Sequence, residues 1–101
     1  MIDLHMHTTY SDGTESCETV LKKCQEKNLN YISITDHNTS LAYEELERID
    51  IPNLYKGKII PGIELNTKVL GIPIEILGYG INYKKWIFLL QKYIYHLKKE
   101  I

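Results

Sequence analysis

The sequence is short of cysteine, arginine and long apolar runs. Its 101 residues include two Cys and a single Arg, Arg48. Cys17 and Cys24 stand seven apart in a stretch that reads as a helix. At 1.5 Å per residue their Cα atoms would lie roughly 10 Å apart, beyond disulfide reach. Both fall on the apolar face of that helix, so they read as small buried hydrophobes in a reducing compartment. The longest apolar region, Trp86 to Leu97, is broken by Gln91, Lys92 and His96 and is too short to span a bilayer. The first residues lack a basic segment followed by an apolar one, so no signal peptide and a cytoplasmic location are expected. Internal repeats, low-complexity tracts and linkers are absent. The net charge of −1 gives no general attraction to nucleic acid, which makes such a partner unlikely on this reading.

The composition that is present, 44% hydrophobic and 25% charged, suits one globular domain over residues 1–101 with a modest core. Charge is uneven. Residues 1–83 carry twelve acidic and seven basic side chains, whereas residues 84–101 carry five Lys and only Glu100. An acidic body suits a cation site. The basic terminal segment reads as a solvated helix face.

Residues 1–12, MIDLHMHTTYSD, organise the rest. Ile2, Leu4 and Met6 alternate with Asp3, His5 and His7, the period of a β-strand. That period puts His5 and His7 on one face. Imidazole is a common ligand for zinc and similar ions, and two imidazoles on one rigid strand can grip one cation. Thr8 to Gly13 breaks the strand, and Asp12 in that loop can curl back toward the same ion. Taken alone, His-x-His is equally well read as two ordinary strand residues.

Next comes an amphipathic helix. Ser16 is its expected N-cap, Cys17, Val20, Leu21 and Cys24 form its apolar stripe, and Asn28 is a left-handed terminus. Tyr31 to Thr35 is the second strand, ending in the possible ligand pair Asp36-His37. Strand, helix and strand make a parallel βαβ unit, and in such folds functional groups gather at the carboxyl ends of strands. Thr39 or Ser40 caps a second helix with Leu41, Ala42, Leu46 and Ile49 inward, closed by Pro52 and Asn53. Lys58 to Leu65 is the third strand, with Glu64 at its end. Pro61 and Gly62 mark an edge, a bulge or a close approach. Thr67 to Leu70 and Ile72 to Leu77 form a hairpin around Gly71. Glu75 is a lone charge within its apolar run, expected to be paired, exposed at an edge or metal-bound. Tyr83 to Ile101 is a helix with Trp86, Leu89, Leu90, Tyr93, Ile94, Leu97 and Ile101 in one stripe. His96 flanks that stripe and reads as structural.

By topology His5, His7, Asp12, His37 and Glu64 share one end of the sheet. Mixed imidazole and carboxylate sets suit zinc, manganese or iron(II). Paired ions bridged by a carboxylate are a recurring device for phosphate-ester hydrolysis.

Several motifs occur in order across residues 2–82. They are Asp3-Leu4-His5-Met6-His7-Thr8, Ser11-Asp12-Gly13-Thr14, Ile34-Thr35-Asp36-His37-Asn38-Thr39, Pro61-Gly62-Ile63-Glu64-Leu65-Asn66-Thr67 and Ile76-Leu77-Gly78-Tyr79-Gly80. Together they resemble the polymerase and histidinol phosphatase (PHP) family. The resemblance implies an α/β fold, a distorted TIM-like (β/α)7 barrel with up to three divalent ions at the carboxyl ends of its strands. Here it would be partial, parallel βαβαβ followed by a hairpin and a C-terminal helix. Many members are phosphoesterases; some are attached to bacterial DNA polymerases. His5, His7 and Glu64 would hold a first ion, Glu64 would bridge to a second, and Asp12 and His37 would hold a third.

Two departures follow from the same resemblance. Glu75 stands where members usually have histidine and could serve as a harder ligand. The family barrel is also about twice this length, and its later half supplies further ligands and arginines. The chain is therefore expected to hold one to three ions with fewer protein ligands. Residues 86–101 are expected to pair copies into a homo-oligomer. The leading expectation is a metal-dependent phosphoesterase acting on a small phosphate ester or nucleotide. The alternative is a non-catalytic module that binds metal and a protein partner.

Overall fold

The structure, a computed structural model, describes residues 1–82. Strand β1 spans Ile2–Met6, β2 Tyr31–Ile34 and β3 Lys58–Ile59. They form a parallel sheet in the order β1-β2-β3, with Ile2 opposite Tyr31 and Tyr31 opposite Lys58. Helix α1 (Cys17–Glu26) connects β1 to β2; α2 (Leu41–Leu46) and α3 (Ile51–Leu54) connect β2 to β3. The parallel βαβαβ order is the expected one.

Helix α1 begins where its sequence says it should. The Ser16 side chain accepts the Thr19 amide, and Asn28 turns left-handed with φ 53° just beyond the last turn. Cys17, Val20, Leu21 and Cys24 are buried against Ile32 and Ile34 of β2. Both cysteines are free.

The second helix is shorter than expected. It stops at Leu46, and Pro52 sits in the first turn of a separate α3 rather than merely closing α2. Leu41 is 39% exposed instead of inward, and Tyr43 takes the buried position. The Tyr43 hydroxyl donates to the Ile34 carbonyl at 2.6 Å and accepts the Gly62 amide at 3.0 Å. It thereby ties the end of β2 to the start of the next strand.

The expected single strand over 58–65 is broken at Pro61, which has no N–H to give β2. Strand β4 (Gly62–Val69) then pairs antiparallel with β5 (Ile72–Tyr79), forming a longer hairpin than expected. Leu70 and Gly71 make its two-residue turn with φ 52° and 79°. Gly62 is needed for proximity: a Cβ there would lie 2.3 Å from Ser33 Oγ. An isolated parallel bridge from His37 to Glu64 brings β4 against the carboxyl end of β2.

The helix and pairing surface expected over 83–101, including His96, lie outside the described residues. Among the described residues no helix is long and apolar enough to cross a membrane.

Candidate metal centre

The carboxyl end of the sheet gathers the expected side chains. His5 Nε2 lies 2.6 Å and His7 Nε2 3.2 Å from Glu64 Oε1. His7 Nδ1 lies 2.5 Å from Asp12 Oδ1, and His37 Nε2 3.1 Å from Asp12 Oδ2. His37 Nδ1 is 3.2 Å from the other Glu64 oxygen. Two groups result, His5–His7–Glu64 and His7–Asp12–His37. Each offers three donor atoms within 4.8 Å of one another. His7 belongs to both through its two ring nitrogens, and Glu64 reaches both through its two oxygens. The His7 and His37 rings meet edge to face at 4.4 Å.

Each side chain is placed by the fold. His5 lies on β1, and His7 follows just past its end. Glu64 is the third residue of β4 and is buried. Asp12 rides on the loop after β1, and that loop is braced by Asp36. The buried Asp36 carboxylate accepts the Thr8 amide, the Thr8 hydroxyl and the Ser11 hydroxyl at 2.6–2.7 Å. Asp36 is therefore turned away from the ligand role that its position beside His37 suggested. Gly13 lets the same loop close, because a Cβ there would lie 2.5 Å from the His7 carbonyl oxygen.

The electrostatics match a cluster of facing acids and bases. The His7 hydrogen bond holds the Asp12 carboxyl below its ordinary range, against a smaller opposing effect of burial. Burial disfavours the charge on Glu64, but the hydrogen bond from His5 and the nearby His37 and His7 rings outweigh it and lower its pKa. Burial likewise opposes protonation of His37; the Asn66 hydrogen bond and the Glu64 and Asp12 carboxylates outweigh it and raise its pKa.

Glu75 stands opposite Asn66 in the hairpin, so it sits on the site face but outside both three-donor groups. Asn66 is a further residue of the site, one that the sequence pattern alone does not single out as a ligand neighbour. Its Oδ1 lies 3.2 Å from His37 Nδ1, and its own amide is held by the Asn38 side chain at 2.8 Å. The pattern gives its face alone: two residues past Glu64 on a strand is the same side. An open cleft of about 420 Å³ is lined by His5, Met6, His7, Asp12 and Gly13.

Among the described residues each group offers three donors, one fewer than the four of a closed structural zinc site. The mix of imidazole and carboxylate suits a divalent ion of borderline or hard character.

The family model for the PHP domain matches residues 3–99. The chain is 36% identical over 84 residues to the 5'-3' exoribonuclease Rnm of Salmonella typhimurium, covering 79% of this chain and 27% of that protein. It is 32% identical over 85 residues to the phosphoribosyl 1,2-cyclic phosphate 1,2-diphosphodiesterase of Eggerthella lenta, covering 78% and 30%. An amidohydrolase from Chromobacterium violaceum superposes with a TM-score of 0.77 at 22% identity, over 90% of this chain and 32% of that one, and so shares the fold. The chain spans under a third of the length of each of these proteins. With the family model covering nearly the whole sequence, this chain belongs to the PHP domain family.

Proposed function

We propose that this chain carries the metal-holding part of a phosphoesterase site, one that hydrolyses a small phosphate ester or nucleotide with a metal-activated water. The observation behind this reading is the pair of three-donor groups that share His7. The names of the two curated relatives, an exoribonuclease and a cyclic phosphate diphosphodiesterase, denote cleavage of phosphate ester bonds and support the same kind of chemistry.

His5, His7 and Glu64 would hold one ion, or His7 would turn its other ring nitrogen to an ion shared with Asp12 and His37, since a neutral imidazole ligates one ion at a time. Glu75 lies on the same face as a further carboxylate. Zinc, manganese and iron(II) all suit these donors, at one to three per chain. When bound, such ions supply a water of lowered pKa and neutralise charge on phosphate oxygens. The chain's own residues fix the geometry: Asp36 holds the Asp12 loop, and Asn66 orients the His37 ring through Nδ1. The buried free thiols of Cys17 and Cys24 fit a reducing, cytoplasmic setting.

A non-catalytic metal-binding module is favoured by one feature. The only arginine, Arg48, is exposed just beyond α2, and among the described residues the cleft at the donor groups is lined by His5, Met6, His7, Asp12 and Gly13, with no lysine or arginine to grip phosphate. Hydrolysis of p-nitrophenyl phosphate and its bis-ester, with Mn²⁺ or Zn²⁺ added, separates the two readings. An enzyme turns over and loses about 10²-fold or more in His37→Ala while staying folded. A module binds the ions without turnover in either form.

A further inference from the structure

The β4–β5 hairpin has two faces of opposite character. Glu64, Asn66 and Glu75 lie on the face of the metal centre. Ile63, Leu65, Thr67 and Val69 of β4, with Ile72, Ile74, Ile76 and Gly78 of β5, make up the other face, where Thr67 is the one polar side chain. Among the described residues that face is covered at its base, where Ile63 is fully buried and Leu65, Thr67 and Gly78 are half-buried, and is exposed toward the turn. Val69 is 51% exposed, Ile72 64%, Ile74 37% and Ile76 48%. A contiguous apolar surface of this kind marks a binding surface.

We propose that residues 83–101 of this chain dock along that apolar face. Four observations support this occupant. First, the chain leaves β5 onto the same face. Gly80 turns with φ 68°, its amide bonds to the Pro61 carbonyl, and an Ile81 methyl carbon lies 3.8 Å from where a Gly78 Cβ would stand, next to Ile63. Ile81 is thus the first apolar residue after β5 laid on this surface, two residues before the segment begins. Second, the segment carries Trp86, Leu89, Leu90, Tyr93, Ile94 and Leu97 at helical spacing, a stripe suited to an apolar sheet face. Third, the lengths agree. Eight residues of β5 extend about 26 Å, and a helix from Trp86 to Ile101 would extend about 24 Å. Fourth, the five lysines among residues 84–101 oppose the acidic excess of residues 1–83. A second copy of the chain, paired through residues 86–101, is the competing occupant.

The test uses the full chain, in which Trp86 is the only tryptophan. Docking predicts an emission maximum blue-shifted from that of a free tryptophan peptide and unchanged on dilution. The double substitution Ile74→Lys with Ile76→Lys should move it red, toward the peptide. Cys17 and Cys24 should stay closed to Ellman's reagent, showing that the core is folded. If that variant opens the thiols, Val69→Lys with Ile72→Lys at the more exposed end is read instead. Emission like that of the peptide in the parent chain, or no red shift in a folded variant, overturns the proposal. So does a blue shift that fades on dilution while light scattering shows a dimer dissociating, which would assign the face to a second copy.

Discussion

The Asp36 carboxylate accepts both donors of Thr8, the amide at 2.6 Å and the hydroxyl at 2.7 Å. This buried contact joins the end of β2 to the start of the loop that carries Asp12. Asp36→Ala leaves a buried amide and hydroxyl without their acceptor. It should destabilise the chain by about 2–4 kcal/mol, read as a lower urea midpoint at unchanged slope. Asp36→Asn keeps one acceptor oxygen and should cost less. A midpoint unchanged in Asp36→Ala would mean the brace contributes nothing.

His7 is the hinge of the two donor groups, since its ring nitrogens face Glu64 on one side and Asp12 on the other. His7→Ala should weaken both metal sites, whereas His37→Ala should spare His5–His7–Glu64. Titration calorimetry with Zn²⁺ or Mn²⁺ is the check. Equal losses in the two variants would show that the groups do not act as two sites.

The pH dependence of the metal-free chain follows from the shifted groups. His37 has its pKa raised above 6.5, so its contribution is full below that value and fades as pH rises through the higher folded one. Asp12 and Glu64 are lowered from 3.8 and 4.5; their contributions are present above those values and lost as pH falls through the folded ones. The cluster should therefore stabilise the metal-free chain most between about pH 4.5 and 6.5. A bound ion needs neutral His37, so it should move the optimum upward. Melting temperature against pH, with chelator and with Zn²⁺, tests both. A metal-free optimum well above pH 7 would contradict the assignment.

Cys17 and Cys24 are 1% and 4% exposed, and burial pushes the Cys17 thiol up to about 12. Neither should react with Ellman's reagent at pH 8 in the native chain, and both should react in denaturant. Rapid labelling of one native thiol would show that α1 does not pack as described.

Much of this was legible because it rests on short-range chemistry. The alternation around His5 and His7, the Ser16 cap and the apolar stripe of α1 each follow from a few neighbouring residues. The metal centre was legible because parallel βαβ topology collects strand ends, so His5, His7, Asp12, His37 and Glu64 could be grouped without coordinates. What escaped depends on tertiary choice. Tyr43 takes the inward position expected of Leu41 because its hydroxyl can serve the strand ends at Ile34 and Gly62. Pro61 splits the third strand, and this frees Gly62–Val69 to pair over its full length with β5. Asp36 and His37 look like equivalent ligands in sequence. The buried Thr8 amide and hydroxyl separate their roles.

The most direct measurement is metal content by elemental mass spectrometry on chain purified without chelator, alongside His7→Ala purified in parallel. At least one zinc, manganese or iron ion per parent chain is expected, with a marked loss in His7→Ala. A parent chain with no bound ion, even after incubation with Mn²⁺ or Zn²⁺, would contradict a metal centre on these residues.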